Sequence, residues 1–176
     1  MARTTSWYIP LDKKLSVKEI ALFGMLGGLT FGAKLAMAGL PNIEPVSLLV
    51  MLFAVTFGAK CLFPIYVYVA MELILFPIGD WSLMYLYLWA LLALGAWCIR
   101  RSTQPLAWAL LSGAFGLFFE VLGAPVYVLY GGFSYAVAKC ISGILYSLLH
   151  CAGNFVLALL LFNPLRKLLT KLYQKL

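Results

Sequence analysis

Residues 81–99, WSLMYLYLWALLALGAWCI, contain no charged side chain and lie between Asp80 and the pair Arg100-Arg101. An α-helix needs about 20 apolar residues to cross the hydrocarbon core of a bilayer. The length of this run and the charges at both of its ends therefore predict a transmembrane helix.

The rest of the chain has the same character. Of its 176 residues, 64% are hydrophobic and 11% are charged, and the mean hydropathy is +0.99. A chain of this composition cannot cover itself with a polar surface, so it must be solvated by lipid. The length allows six crossings with short connections and leaves no room for a second domain.

Proline, glycine and charged residues divide the sequence into six apolar runs. We therefore expect an all-α integral membrane protein, with residues 1–176 forming one domain that is a bundle of six transmembrane helices. The N-terminal segment has no apolar stretch ahead of its charges, which argues against a cleaved signal peptide. The predicted helices cover residues 17–39, 45–59, 61–77, 81–99, 105–129 and 134–162.

Positive charge is concentrated on one side of the predicted bundle. Eleven of the 13 Lys and Arg residues lie in the two tails and in the turns at Lys60 and Arg100-Arg101. Because such residues stay on the cytoplasmic side, both termini are predicted to be cytoplasmic. In the tail, residues 164–176, leucines at helical spacing alternate with basic residues. This pattern predicts an amphipathic helix on the inner leaflet, with a frayed basic end as the alternative.

Small residues recur at every fourth position of the first helix: Gly24, Gly28, Gly32 and Ala36. Such a stripe lets another helix approach closely, which is a major route to helix association in lipid. It serves either packing within this chain's own bundle or docking of a separate protein, and its length favours docking.

The ionisable residues that remain lie in the outer half of the predicted bundle or near its midplane. Intramembrane charges are costly and usually face partners, water or a ligand. A cavity open to the outside accommodates them, with deep aromatic walls suited to a flat organic ligand. The candidate binding residues are Lys34, Glu44, Glu72, Tyr85, Trp89, Glu120, Tyr127, Lys139, Tyr146, His150 and Asn154. Trp81, Tyr130 and Tyr135 fit an interfacial aromatic belt better.

The last predicted helix carries the strongest local signal for a site. Its polar residues from Lys139 through Tyr146 and His150 to Asn154 share one broad face. The alternative is a hydrogen bond between His150 and Asn154 that only holds the bundle together.

Catalytic and metal-binding motifs are missing from the sequence. His150 and Glu120 are a conceivable acid and base pair, but there is no HExxH, nucleophile elbow or acidic metal cluster. We therefore expect neither an enzyme nor a metal site. Two other classes stay open: a small ion-coupled secondary transporter or channel, and a membrane scaffold protein. The first alternative lacks repeated halves, and the second leaves the polar cluster without a purpose.

Two stretches, LPNIEPVSLLVML at 40–52 and LHCAGNFVL at 149–157, resemble the substrate-binding S component of energy-coupling factor (ECF) vitamin transporters. Chain size, six helices and the stripe of small residues are also similar to that family. The resemblance implies a subunit of the bacterial plasma membrane that captures a vitamin from outside. It implies as partners a membrane-embedded coupling (T) subunit, docked on the stripe, and two cytoplasmic ATPases.

The resemblance also bears on the ligand and on its entry. It implies gates at Gly39–Asn42 and Pro77–Trp81, and no cofactor other than the transported vitamin. Cobalt and nickel are not expected, because the chain lacks the N-terminal histidine of the cation-seeking members. Among water-soluble vitamins the resemblance favours cobalamin, while the residues leave riboflavin, thiamine and folate open. No GxxxxGK[ST] loop is present, which fits a subunit whose ATP hydrolysis is supplied by partners.

Overall fold

The described part of the chain is helical throughout, as expected. The computed structural model describes residues 14–40 and 43–175, which form helices and turns with no β-strand among them. A 3₁₀ turn, Gly58–Cys61, separates the second and third helices. The helices are α1 (Val17–Ala36), α2 (Val46–Phe57), α3 (Leu62–Leu75), α4 (Asp80–Cys98), α5 (Pro105–Leu117), α6 (Phe119–Ser142) and α7 (Ile144–Tyr173).

Five stretches of the described chain, rather than the expected six, are long and apolar enough to cross a membrane. They are Val17–Ala36, Val46–Leu75, Asp80–Cys98, Pro105–Ser142 and Ile144–Tyr173. The difference arises because α2 and α3 have only 12 and 14 residues. Helices of that length are about 18 to 21 Å long, so each is shorter than a hydrocarbon core of about 30 Å.

Two glycines with positive φ lie where the chain folds back on itself. Gly58 has a φ of 60° and Gly132 a φ of 80°. Glu44 and Glu72, on opposite sides of Gly58, line one cavity. The rings of Tyr127 and Tyr135, on opposite sides of Gly132, are 6.2 Å apart. Glycine adopts this left-handed conformation without steric cost, so both reversals use the residue that tolerates them best.

The short helix α2 is the centre of the bundle. All of its residues except Leu49 are buried, and it packs against α4 and α7. A helix that is apolar on every side is typical of such a central position. The α5 and α7 helices pack along each other, and Trp108 stacks on Phe162 with ring centroids 4.0 Å apart.

One end of the bundle gathers basic residues and both ends of the described chain. Glu19, in the first turn of α1, accepts hydrogen bonds from Lys60 Nζ and from the Tyr173 hydroxyl. Arg166 donates to the carbonyl oxygens of Ser102 and Arg100. The start of α1 and the end of α7 therefore lie at the same end. Arg3 and Lys13, which belong to the predicted basic set, lie outside the described residues.

The C-terminal segment continues α7 rather than starting a new helix. Pro164 lies inside α7, which extends to Tyr173. Proline is tolerated within transmembrane helices where neighbouring groups satisfy the freed backbone. Leu165, Leu169 and Tyr173 pack against the core, whereas Leu168 and Leu172 are exposed. The tail is thus amphipathic, but its apolar residues are divided between the bundle and the surroundings.

Candidate functional site

A cavity lies at the end of the bundle opposite the basic end. It has a volume of about 640 Å³. The end of α1, the segment before α2, the end of α3 and the start of α4 enclose it. Its lining residues are Lys34, Leu35, Met37, Ala38, Leu40, Ile43, Glu44, Glu72, Phe76, Pro77, Trp81 and Tyr85.

An ion pair lies in the wall of this cavity. Lys34, in the last turn of α1, donates to Glu72 Oε2 over 2.8 Å and reaches the Tyr85 hydroxyl at 3.3 Å. Glu72 is 2% exposed and Lys34 is 24% exposed. A lysine in this position also benefits from the partial negative charge at the C-terminal end of a helix. The pair therefore joins α1 to α3 beside the cavity.

Glu44 is the third charged residue of the cavity. It precedes α2, outside the membrane-spanning stretches. Burial raises the pKa of Glu44 to about 7, with a further rise from Glu72 that opposes the lowering by Lys34. A carboxyl group in an apolar setting holds its proton more tightly because the charged form loses hydration. Glu44 is therefore poised between its neutral and charged forms near neutral pH.

An aromatic ladder forms one side of the cavity and continues beneath it. Trp81, Tyr85 and Trp89 follow each other at intervals of four on α4, so they share one face of the helix. Adjacent rings have centroids 5.3 Å apart and meet edge to face. Trp89 is fully buried and does not line the cavity, whereas Trp81 and Tyr85 do.

Two buried polar atoms near this ladder have no hydrogen-bond partner among the described residues. They are Glu72 Oε1 and Trp89 Nε1. Buried polar groups are nearly always satisfied by protein, water or a ligand. Glu72 lines the cavity, so a hydrogen-bond donor in the cavity would satisfy its free oxygen.

Four of the predicted site residues line a second, smaller cavity of about 240 Å³ and not the first one. Glu120, Tyr127, Lys139 and Tyr146 line it, together with Ser142 and Gly143. The Tyr127 hydroxyl donates to Glu120 Oε2. Lys139 Nζ is 2.9 Å from Asp80 Oδ2, an ion pair that joins α6 to α4. The structure thus divides the expected single cavity into two.

The two deepest predicted site residues line neither cavity. Asn154 donates to Ser47 Oγ over 2.9 Å and to the Ser112 carbonyl oxygen over 3.3 Å. His150 is buried against Phe119, with ring centroids 5.2 Å apart. The suggested His150–Asn154 hydrogen bond is absent, because the Asn154 amide bonds to residues of α2 and α5 instead. Asn154 therefore ties three helices together.

The stripe of small residues on α1 faces away from the bundle. A Cβ atom built on Gly24, Gly28 or Gly32 meets nothing within 4 Å, and Ala36 is exposed. Gly27 is the glycine that packs internally: its Cβ would lie 2.5 Å from Val67 Cγ1 and 2.9 Å from the Pro64 carbonyl oxygen. The stripe is therefore available to another molecule.

Several lining residues of the larger cavity were not among the sequence candidates. Trp81, assigned to an aromatic belt, lines the cavity, and so do Phe76 and Ile43. The spacing of four between Trp81 and Tyr85 was the available signal. Both expected gate segments contribute, through Leu40 on one side and Pro77 on the other. Pro41 and Asn42 of the first gate lie outside the described residues.

Comparison with known proteins does not assign this chain to a family. No protein-family model, curated protein or solved structure matches the chain. Within residues 14–40 and 43–175, no group of three or more His, Cys, Asp or Glu side chains is arranged to hold a metal ion.

Proposed function

We propose that this chain is the substrate-capture S subunit of an ECF-type importer in a bacterial plasma membrane. The observation that carries the proposal is the cavity of about 640 Å³ at the end of the bundle opposite the basic residues. Pockets of roughly 300–1,000 Å³ with few polar groups are typical of small-molecule sites. A vitamin enters this cavity from outside the cell.

The proposed topology has six crossings with both termini inside. The fold-backs at Gly58 and Gly132 divide the apolar stretches into six passes: α1, α2, α3, α4, residues 105–131, and residues 133–173. The buried position of α2 accounts for a pass shorter than the bilayer. The basic end carries Lys60, Arg100 and Arg166, so the positive-inside rule assigns it to the cytoplasm.

The outward face of α1 is the proposed docking surface for a membrane-embedded coupling subunit. Gly24, Gly28, Gly32 and Ala36 leave a groove that a partner helix fills by close backbone approach. Two cytoplasmic ATPases, bound to the coupling subunit, supply the energy, and this chain is not itself an enzyme. The open space at the three glycines supports docking over internal packing.

The volume of the cavity bears on the choice of vitamin. Thiamine and riboflavin are of the size for which such pockets are typical. Cobalamin, which the sequence resemblance favours, carries a corrin ring and a nucleotide loop, so it requires the segments around Leu40 and Pro77 to open. Loops that carry glycine and proline at their ends are suited to such gating.

Ligand identity is tested by purifying the chain in detergent from cells grown in rich medium and analysing bound small molecules by mass spectrometry. We expect one vitamin at close to one molecule per chain. An empty protein whose thermal stability no vitamin changes would contradict capture and favour the ion-coupled or scaffold alternatives.

Docking is tested with Gly28→Leu. Because this position faces open space, the variant should bind vitamin normally but lose vitamin uptake and co-purification of the ATPases. Ala114→Leu is the matched control, a small-to-large change on the exposed face of α5. Equal uptake by the two variants would contradict docking through α1. Solute movement by the chain without any partner would instead indicate a secondary transporter.

A further inference from the structure

The charges that face the larger cavity do not balance. Three charged side chains line it, and two of them, Lys34 and Glu72, neutralise each other over 2.8 Å. Among the described residues, Glu44 has no salt bridge. When ionised, Glu44 thus leaves the cavity with one uncompensated negative charge. A charge that is partly removed from water is costly unless it is paired, so this arrangement favours a positively charged guest.

A second observation points the same way and is independent of Glu44. Glu72 lines the cavity, is 2% exposed, and has one oxygen, Oε1, that no described residue hydrogen-bonds. A carboxylate oxygen accepts hydrogen bonds only. The missing partner is therefore a donor, such as an N–H group of a ligand or a water molecule.

The aromatic side chains around the cavity already lie close to one cation, the ammonium group of Lys34. Lys34 Nζ lies 5.2 Å from the centre of the Tyr85 ring and 5.9 Å from that of Phe76. Ring faces attract positive charge, most strongly when water is excluded. Trp81 adds an indole ring at the same level, 5.3 Å from Tyr85.

We propose that the cavity selects a flat ligand that carries one positive charge, with Glu44 as its counter-ion and Trp81 and Tyr85 as its aromatic contacts. Glu72 Oε1 accepts a hydrogen bond from an N–H donor of the same ligand. This inference rests on the proposed capture function and narrows its substrate to cationic, nitrogen-containing vitamins.

The proposal implies a definite dependence of binding on pH. Groups that face Glu44 are Lys34 from α1, Glu72 and Tyr68 from α3, and Tyr85 from α4. Burial raises the pKa of Glu44 to about 7, so without a ligand the Glu44 carboxyl group is largely protonated below that pH. A cation requires the ionised form. Binding therefore tightens as pH rises, by about tenfold between one pH unit below and one above the pKa.

The test is calorimetric titration of the full chain in lipid nanodiscs at those two pH values. The probes are thiamine, which has a permanently charged thiazolium ring, choline as a smaller cation, riboflavin and cyanocobalamin as neutral ligands, and biotin and folate as anions. We expect a cation to bind most tightly, with the stated pH dependence. Glu44→Gln should weaken it at least about tenfold at the higher pH, as loss of a charge-assisted contact does.

Control variants separate binding from folding. Glu44→Asp keeps the charge and should retain the pH dependence, and Glu19→Gln removes a carboxylate at the opposite end and should leave affinity unchanged. Thermal unfolding of Glu44→Gln should show a folded protein, because a neutral side chain suits this partly buried position. Tightest binding of a neutral or anionic probe, or unchanged affinity in Glu44→Gln, would overturn the inference and leave capture standing. Binding of no probe would overturn both.

Discussion

Glu72 is a carboxylate that folding has almost completely removed from solvent, and Lys34 is its one described ionic partner. Removing one member of a buried pair leaves the other uncompensated, which costs more than replacing both. At the scale of single residues, the cavity is therefore a place where charge, burial and stability are coupled.

We expect Lys34→Met to lower the free energy of unfolding by about 1–3 kcal/mol, because Glu72 must then be buried without its ionic partner. The double variant Lys34→Met/Glu72→Met should recover most of this loss. Thermal unfolding in detergent measures both, with exposed Lys171→Met as the control. A double variant no more stable than the single one would show that Glu72 does not depend on Lys34.

Glu44 gives the ligand-free protein a pH-dependent stability. Its pKa is raised from 4.5 to about 7 on folding, so the folded state binds the proton more tightly. Stability contributed by the neutral form is complete below the lower value and is lost as pH rises through the upper one. The melting temperature should therefore fall between about pH 5 and about pH 8. Glu44→Gln should reduce that fall, and an unaltered profile would contradict the assignment.

At the scale of elements, α1 has an inner and an outer glycine next to each other. Gly27 touches Val67 and the Pro64 backbone, whereas Gly28 faces open space. Neighbouring positions of one helix thus serve two different contacts. Sequence spacing alone did not show that the glycine packed against α3 is Gly27, which directly precedes Gly28 of the outward-facing stripe.

This contrast predicts opposite effects of the same substitution. Gly27→Ala should lower the free energy of unfolding by about 1–3 kcal/mol through overpacking against α3. Gly28→Ala should raise it by up to about 1 kcal/mol, because alanine is the better helix former. Chemical or thermal unfolding of the two variants provides the comparison. Equal effects would contradict the orientation of α1.

The chain reversal at Gly132 within α6 also depends on a glycine. A Cβ at this position meets no neighbouring atom, so only the positive φ opposes a side chain. Gly132→Ala should therefore cost about 1–2 kcal/mol of unfolding free energy. Gly39→Ala, which is equally free of contacts but lacks a positive φ, should change stability much less. If Gly132→Ala left the unfolding free energy unchanged, the turn would have adopted a backbone conformation without the positive φ.

At the scale of the whole molecule, the two ends of the bundle differ in chemistry. One end holds Lys60, Arg100 and Arg166, and the other holds the cavity with Glu44 and Glu72. This polarity is the basis of the proposed orientation. It also explains a net charge of +7 without invoking a nucleic-acid partner.

Orientation can be measured with single cysteines in a variant whose four native cysteines are replaced by alanine. Ile78→Cys, at an exposed position beside the cavity, should react with a membrane-impermeant maleimide in intact cells. Thr103→Cys, in the exposed turn at the basic end, should react only after the membrane is permeabilised. The reverse labelling pattern would place the cavity inside the cell and contradict capture from outside.

Composition and the length of the apolar runs are enough to establish that the chain is helical and apolar enough for a membrane. Hydrocarbon cannot hydrogen-bond a backbone, so long uncharged runs such as 81–99 must become helices whatever they pack against. The sequence also indicates the level of each charge along the bundle, because depth follows directly from position within a run. The charged residues Lys34, Glu44 and Glu72, which line the cavity, were predicted in this way.

Which of those residues lie together depends on how the helices pack, and the sequence pattern does not show it. The position of a residue along its helix fixes its depth in the bundle but not the direction in which its side chain points. The predicted single cavity is therefore two cavities in the structure. Asn154 lines neither of them and links three helices instead. The reversals at Gly58 and Gly132 bring together residues distant in sequence, such as Glu44 and Glu72. Which residues line the cavity depends on how α1, α3 and α4 are rotated about their axes. That rotation results from all the packing contacts together and cannot be read from any local sequence pattern.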